Sequence, residues 1–233
     1  MKKIINLKTI LSLIFALFVL WFFFLYKSNP VATVAPRASV AEAGVKIIAF
    51  GDSLTAGYGL PASESYPALL EAELKRRGAK VTVINSGVSG ETTRGNLERA
   101  EFIRKQNPDL VLLGIGGNDA LRLLPVEETK KNIAATIAEL QSGINPPVVV
   151  LLRMQAPLNA GLGYKQTFDG MYDEIAESYA VTVLPFITAE VFLNNEYKLN
   201  DGIHFNRAGY EQIINLYLVD VVADIVAEMD PAK

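Results

Sequence analysis

Val45-Lys46-Ile47-Ile48-Ala49-Phe50-Gly51-Asp52-Ser53-Leu54-Thr55-Ala56-Gly57-Tyr58-Gly59-Leu60 decides the fold. An apolar run, Val45–Phe50, stops abruptly at Gly51-Asp52-Ser53. That pattern is a buried strand leaving a sheet at a glycine and presenting a short polar tip. Ser53 then sits at the carboxyl end of a strand, where open α/β sheets place their ligands. It is a candidate nucleophile, provided the chain also supplies a base, a residue to orient it and donors for an oxyanion.

Further along, strand and helix patterns alternate. Apolar runs recur at Val81–Ile84, Leu110–Ile115, Val148–Leu152 and Val181–Leu184. Between them Tyr66, Leu70 and Leu74 repeat at helical spacing and stop at Gly78; Leu97, Ala100 and Ile103 stop at Asn107-Pro108. Val126, Ile133, Ile137 and Leu140 line one face between Pro125 and Gly143, and Phe168, Met171, Tyr172 and Ile175 another. A last helix from near Asn206 is expected to bury Tyr210, Ile214, Tyr217, Val221 and Ile225. Short apolar strands alternating with amphipathic helices predict an α/β domain whose parallel sheet is covered on both faces.

The chain's 233 residues suffice for one such domain plus an extension. That extension is N-terminal. Lys2, Lys3 and Lys8 precede Thr9–Tyr26, 18 residues without a charge. As a helix, 18 residues reach about 27 Å against a hydrocarbon core of about 30 Å. The lysine bias keeps the N-terminus cytoplasmic. The expectation is an anchor or signal peptide over 1–27, a flexible linker over 28–44 holding Pro30 and Pro36, and an exported domain over 45–233. An uncleaved anchor is favoured, because the apolar run exceeds the usual signal-peptide core of about 7–15 residues. The domain would then lie in the periplasm or cell exterior, or be released if the segment is cleaved.

Net charge is −3, with no basic run, so no nucleic-acid partner is expected. The absence of cysteine excludes disulfides, thiolate metal sites and a cysteine nucleophile. The single histidine is His204. Any mechanism that needs an imidazole must use it, and no metal site is expected.

Four blocks hold the polar residues: Gly51-Asp52-Ser53-Leu54, Asn85-Ser86-Gly87-Val88-Ser89-Gly90-Glu91-Thr92-Thr93, Gly114-Ile115-Gly116-Gly117-Asn118-Asp119, and Asp201-Gly202-Ile203-His204. The first three follow strands and emerge on one edge of a parallel sheet. With all four in order, the chain resembles the SGNH (GDSL-type) hydrolases. The strings G-D-S-L-T-A-G-Y-G-L, S-G-E-T-T, G-I-G-G-N-D-A-L-R, M-Q-A-P and D-G-I-H-x-N are similar to the bacterial thioesterase I, lysophospholipase and arylesterase branch. The resemblance implies a flavodoxin-like three-layer α/β/α sandwich with strand order 2-1-3-4-5. It also implies a monomeric serine hydrolase of esters, thioesters or lysolipids that needs no cofactor.

Under that resemblance Ser53 is the nucleophile, His204 the general base and Asp201 the residue that fixes the imidazole tautomer. The oxyanion donors are the backbone N–H groups of Ser53 and Gly90 and the side-chain amide of Asn118. Each residue also has a plainer role open to it. Ser53 or Asp52 can cap a helix, His204 can be a surface residue, Asp201 can belong to a turn, and Gly90 can serve a left-handed turn. Asn118 can cap a loop. Asp52 and Asp119 are read as loop-fixing hydrogen bonders rather than a metal pair. Leu121, Leu123, Leu124, Met154 and Leu158 are candidates for an acyl groove, with ordinary loop packing as the alternative. Arg153 and Phe205 depart from the family pattern and are expected near the site rim. An activity that needs a neutral imidazole rises with pH through roughly 6–7. Three rivals share the fold: an O-acetyl esterase acting on carbohydrate, a catalytically silent anchored binding module, and a nucleotide-binding protein. The last is weakened because Gly114–Gly117 lacks the dinucleotide spacing.

Overall fold

The computed structural model describes residues 44–229. The anchor, nearly all of the linker and the last four residues of the chain lie outside the described residues. Five strands form one sheet: β1 (Val45–Gly51), β2 (Val81–Gly87), β3 (Leu110–Gly114), β4 (Val148–Arg153) and β5 (Thr182–Pro185), in the order β2-β1-β3-β4-β5. Every pairing is parallel. Every residue of β3 is buried, and so is every residue of β1 except Lys46, as expected for strands covered on both faces.

Three long helices connect and cover the sheet on one face: α3 (Thr93–Lys105), α5 (Val126–Gln141) and α6 (Leu162–Tyr179). The other face carries α2 (Tyr66–Arg76), α8 (Arg207–Ile213), a π-helical turn (Ile214–Leu218) and α9 (Val219–Met229). Short helices α1 (Ser53–Ala56), α4 (Gly117–Leu121) and α7 (Ala189–Leu193) follow β1, β3 and β5. The sheet topology and layer order match the expectation.

Most strand bounds move by a single residue, and two differences from the sequence reading are larger. β2 runs on through Asn85 and Ser86 to Gly87, because these polar residues still pair with β1 on an edge strand that water reaches. In the last helix Tyr217 and Val221 are only half-buried. Leu218, Val219, Val222 and Val226 are buried instead. The π turn holds an extra residue, which rotates the buried face of everything after it and breaks the regular period.

The strand ends position the site. Gly51 pairs with Gly87 on one side and Gly114 on the other, so the three strands end level. β1 and β3 are neighbours whose connections depart in opposite directions, the crevice where such sheets bind ligands. A Cβ on Gly87 would run into the Ala56 backbone nitrogen, and one on Gly51 into Thr55 and the Gly114 carbonyl. The missing side chains let α1 lie directly across the strand ends.

Candidate active site

Ser53 is the first residue of α1, and Asp52 is its N-cap, accepting from the Leu54 backbone N–H at 3.0 Å. The capping role is thus taken by Asp52, which leaves the Ser53 hydroxyl free for another partner. That partner is His204: Nε2 lies 2.8 Å from Ser53 Oγ. On the far side of the ring, Nδ1 lies 2.6 Å from Asp201 Oδ2. Residues 151 apart in sequence are therefore joined in one relay.

The loop carrying Asp201 and His204 is rigidly drawn. Asp201 Oδ1 accepts from the backbone N–H groups of Ile203 and His204 at 2.9 and 3.0 Å. These two bonds and the imidazole hold the Asp201 carboxyl down at about 2, so it is ionised at neutral pH. The Leu199 N–H donates to the His204 carbonyl at 2.8 Å, and Lys198 bridges to Phe205. Asn206, not His204, caps α8 through Gly209 N. The Tyr210 hydroxyl then donates to the Leu54 carbonyl at 2.9 Å, tying α8 to α1.

The other two blocks are stitched to the same edge. Asn118, in the first turn of α4, donates from Nδ2 to Asp52 Oδ2 at 3.3 Å. Gly90 adopts a left-handed φ of 80°, and its carbonyl accepts from Arg122 Nη2 at 2.9 Å. Val88 N donates to Gly51 O at 3.0 Å. Asp119 is buried and accepts from Thr93 N and Oγ1 at 2.9 and 2.6 Å and from Thr129 Oγ1 at 3.3 Å. Asp52 and Asp119 both bind loop groups. Burial pushes the Asp52 carboxyl up to about 6, against the bond from Leu54 N and the nearby imidazole. Among the described residues, no group of three or more His, Asp or Glu is placed to hold a metal ion.

The acyl-groove candidates divide. Leu121, Leu123 and Leu158 are exposed, and Leu124 is half-buried. Tyr164 joins their segments by donating to the Leu124 carbonyl at 2.8 Å. Met154 is a correction. It is buried in the core, its Cε packed under Gly114, because it follows β4 directly and points beneath the strand ends. Phe205 is also a correction. It is fully buried against Tyr210 and anchors the histidine loop from below rather than lining the rim. Arg153 pairs with Asp173 of α6.

Three participants escaped the sequence reading. Thr93 and Asn132 complete the buried network under Asp119, with Asn132 Nδ2 donating to Thr93 Oγ1 at 3.2 Å. Arg122 braces Gly90. Thr93 and Arg122 stand inside the strings S-G-E-T-T and G-I-G-G-N-D-A-L-R, which was the only signal they gave. Asn132 lies in α5 outside any block and gave none.

Residues 49–212 match the GDSL-like lipase/acylhydrolase family. An arylesterase of Vibrio mimicus is 36% identical over 169 residues, 72% of this chain and 83% of the relative. Thioesterase 1/protease 1/lysophospholipase L1 of Escherichia coli K12 is 34% identical over 172 residues, 73% of this chain and 79% of the relative. Among solved structures, the psychrotrophic esterase EstA from Pseudoalteromonas sp. superposes with a TM-score of 0.72 at 27% identity, covering 78% of this chain and 98% of that one. AlinE4, an SGNH-hydrolase family esterase, gives 0.64 at 38% identity, covering 78% and 96%. The sheet order, the serine at the end of the first strand and the matched span agree, and the chain belongs to the GDSL-like lipase/acylhydrolase family.

Proposed function

We propose that the protein hydrolyses carboxylic esters and thioesters through an acyl enzyme on Ser53. The observation that carries the reading is the relay Ser53 Oγ–His204 Nε2 at 2.8 Å and His204 Nδ1–Asp201 at 2.6 Å. In the first half-reaction Ser53 Oγ bonds to the acyl carbon while its proton passes to His204 Nε2. Asp201, ionised, fixes the tautomer and supports the imidazolium. The tetrahedral oxyanion is met by the backbone N–H groups of Ser53 and Gly90 and by the Asn118 amide, a contribution that typically exceeds any other single one. The C–O or C–S bond to the leaving group breaks, and Nε2 returns the proton to that group. In the second half, Nε2 takes a proton from water, the hydroxide oxygen bonds to the acyl carbon, and the bond between that carbon and Ser53 Oγ breaks. The carboxylic acid leaves and Ser53 regains its proton.

The relatives named arylesterase and thioesterase/lysophospholipase favour aryl esters, acyl thioesters and lysolipids as substrates. Exposed Leu121, Leu123 and Leu158 suit an apolar acyl chain at this edge. The uncharged Thr9–Tyr26 segment supports tethering to the membrane with the domain on the periplasmic or extracellular side. A fluorophosphonate that labels the native chain but not Ser53→Ala, with hydrolysis of a chain-length series of esters and thioesters lost in the variant, tests the reading. Equal labelling of both chains would sink it.

A further inference from the structure

Tyr58 is about half-exposed, yet its position is fixed from both ends. Gly57 and Gly59 on either side hold left-handed φ values of 75° and 79°. The N–H groups of Gly57 and Tyr58 both donate to the Ser53 carbonyl at 3.1 Å, and Leu60 N closes the turn on Gly57 O at 3.0 Å. A Cβ on Gly59 would lie 2.7 Å from Leu199 Cδ1. Leu199 is the residue that pairs with the His204 carbonyl. The turn is thus tied to the serine at one end and pressed on the histidine loop at the other. Its ring lies over the imidazole, with centroids 4.5 Å apart and planes at 38°.

We propose that Tyr58 is a positioning residue for His204, its ring face steadying the imidazole and stabilising the imidazolium formed when Ser53 yields its proton. The catalytic half of this statement rests on the hydrolase reading above; the charge half does not. A cation within about 6 Å of an aromatic centroid is attracted by the ring's negative face. The other groups facing the imidazole are the Ser53 hydroxyl at Nε2, Asp201 at Nδ1 and the carboxyl of Asp52 nearby. All three are retained in Tyr58 variants, so the ring's effect is read by difference.

The chain has one histidine, so its ring resonances titrate without overlap in the full-length protein in detergent. Tyr58→Leu keeps bulk and removes the π face. Its midpoint is expected to fall by about half a pH unit, and kcat/KM on a soluble ester by about two- to fivefold. Tyr58→Phe stays at the native midpoint, and Tyr58→Trp, the stronger π face, moves it up. A native midpoint in Tyr58→Leu overturns the proposal, as does a Tyr58→Phe variant that shifts as far as Tyr58→Leu. The titration needs no substrate. An inactive chain with the expected shifts would count against the hydrolase reading alone, whereas an active enzyme with no shift would count against Tyr58 alone.

Discussion

Asp52 is buried beside the serine, and its carboxyl titrates near 6 instead of the usual 3.8. The raised value means that the folded state favours the protonated form. Stability contributed by Asp52 is therefore full below about pH 4, declines as pH rises towards 6, and stays lost above it. The difference corresponds to about 3 kcal/mol. Asp52→Asn removes this pH dependence while retaining an acceptor for Leu54 N. Between pH 4 and pH 7 the variant should gain about 3 kcal/mol relative to the native chain in urea unfolding. Its activity should move the other way. Asp52 Oδ2 accepts from the Asn118 amide, and an asparagine amide turned towards it would leave two donors opposed. Initial rates should fall towards those of Asn118→Ala, which is expected to lose about 10²–10³ in kcat. Asp201 behaves oppositely. Held at about 2, it stays charged far below neutrality, and any stability it lends is lost only between about pH 4 and pH 2. Asp201→Asn should cost roughly 10⁴ in kcat by leaving the wrong tautomer, at a cost a steady-state assay with an aryl ester reads directly. Ser53, Asp201 and His204 were legible because one histidine stood three residues after an aspartate in a chain with the other blocks in order. Asp52 was legible as a loop-fixing hydrogen bonder, but its bond to Asn118 across 66 positions was not, nor was the contact of Tyr58 with His204 across 146, because no local pattern encodes either.

The sheet was readable because each strand buried on both faces must be a continuous apolar run. The ends of elements were less so. β2 continues through polar residues because its pairing with β1, not its side chains, defines it. The π turn at Ile214–Leu218 was invisible because Tyr210, Ile214, Tyr217, Val221 and Ile225 fit an unbroken helical period equally well. Only packing against α2 shows which face won. The level strand ends yield a prediction of their own. Gly87 has ordinary backbone, but α1 crosses so close that a methyl group meets the Ala56 backbone. Gly87→Ala must push α1, and Ser53 with it, off the strand ends. Overpacking of this kind costs about 1–3 kcal/mol, seen as a lower melting temperature. A shift of the serine by even about 1 Å lowers kcat some 10²-fold. A variant with native melting and native kcat would show that α1 can retreat freely, contrary to its bonds to Asp52 and Tyr210.

At the scale of the whole chain, the buried cluster that holds the sheet draws on Val45 to Met229. No helix among the described residues is long and apolar enough to cross a membrane. The candidate tether, Thr9–Tyr26, lies outside them. Three lysines before that segment against Lys27 just after it favour a cytoplasmic N-terminus. If the segment anchors the domain, the full chain resists carbonate extraction from membranes, and protease added outside the inner membrane removes the domain. A chain beginning at Gly44 should stay soluble, because its core is complete, and should retain kcat/KM on a short water-soluble ester. Its rate on a lysolipid presented in vesicles should fall, because the tether no longer concentrates the enzyme at the surface. N-terminal sequencing of the mature chain separates anchor from signal peptide: Met1 intact supports the anchor, and a start beyond the apolar run means release. Recovery of the intact full-length chain in the cytosol would refute export altogether, and would leave the long apolar run without a purpose that its sequence explains.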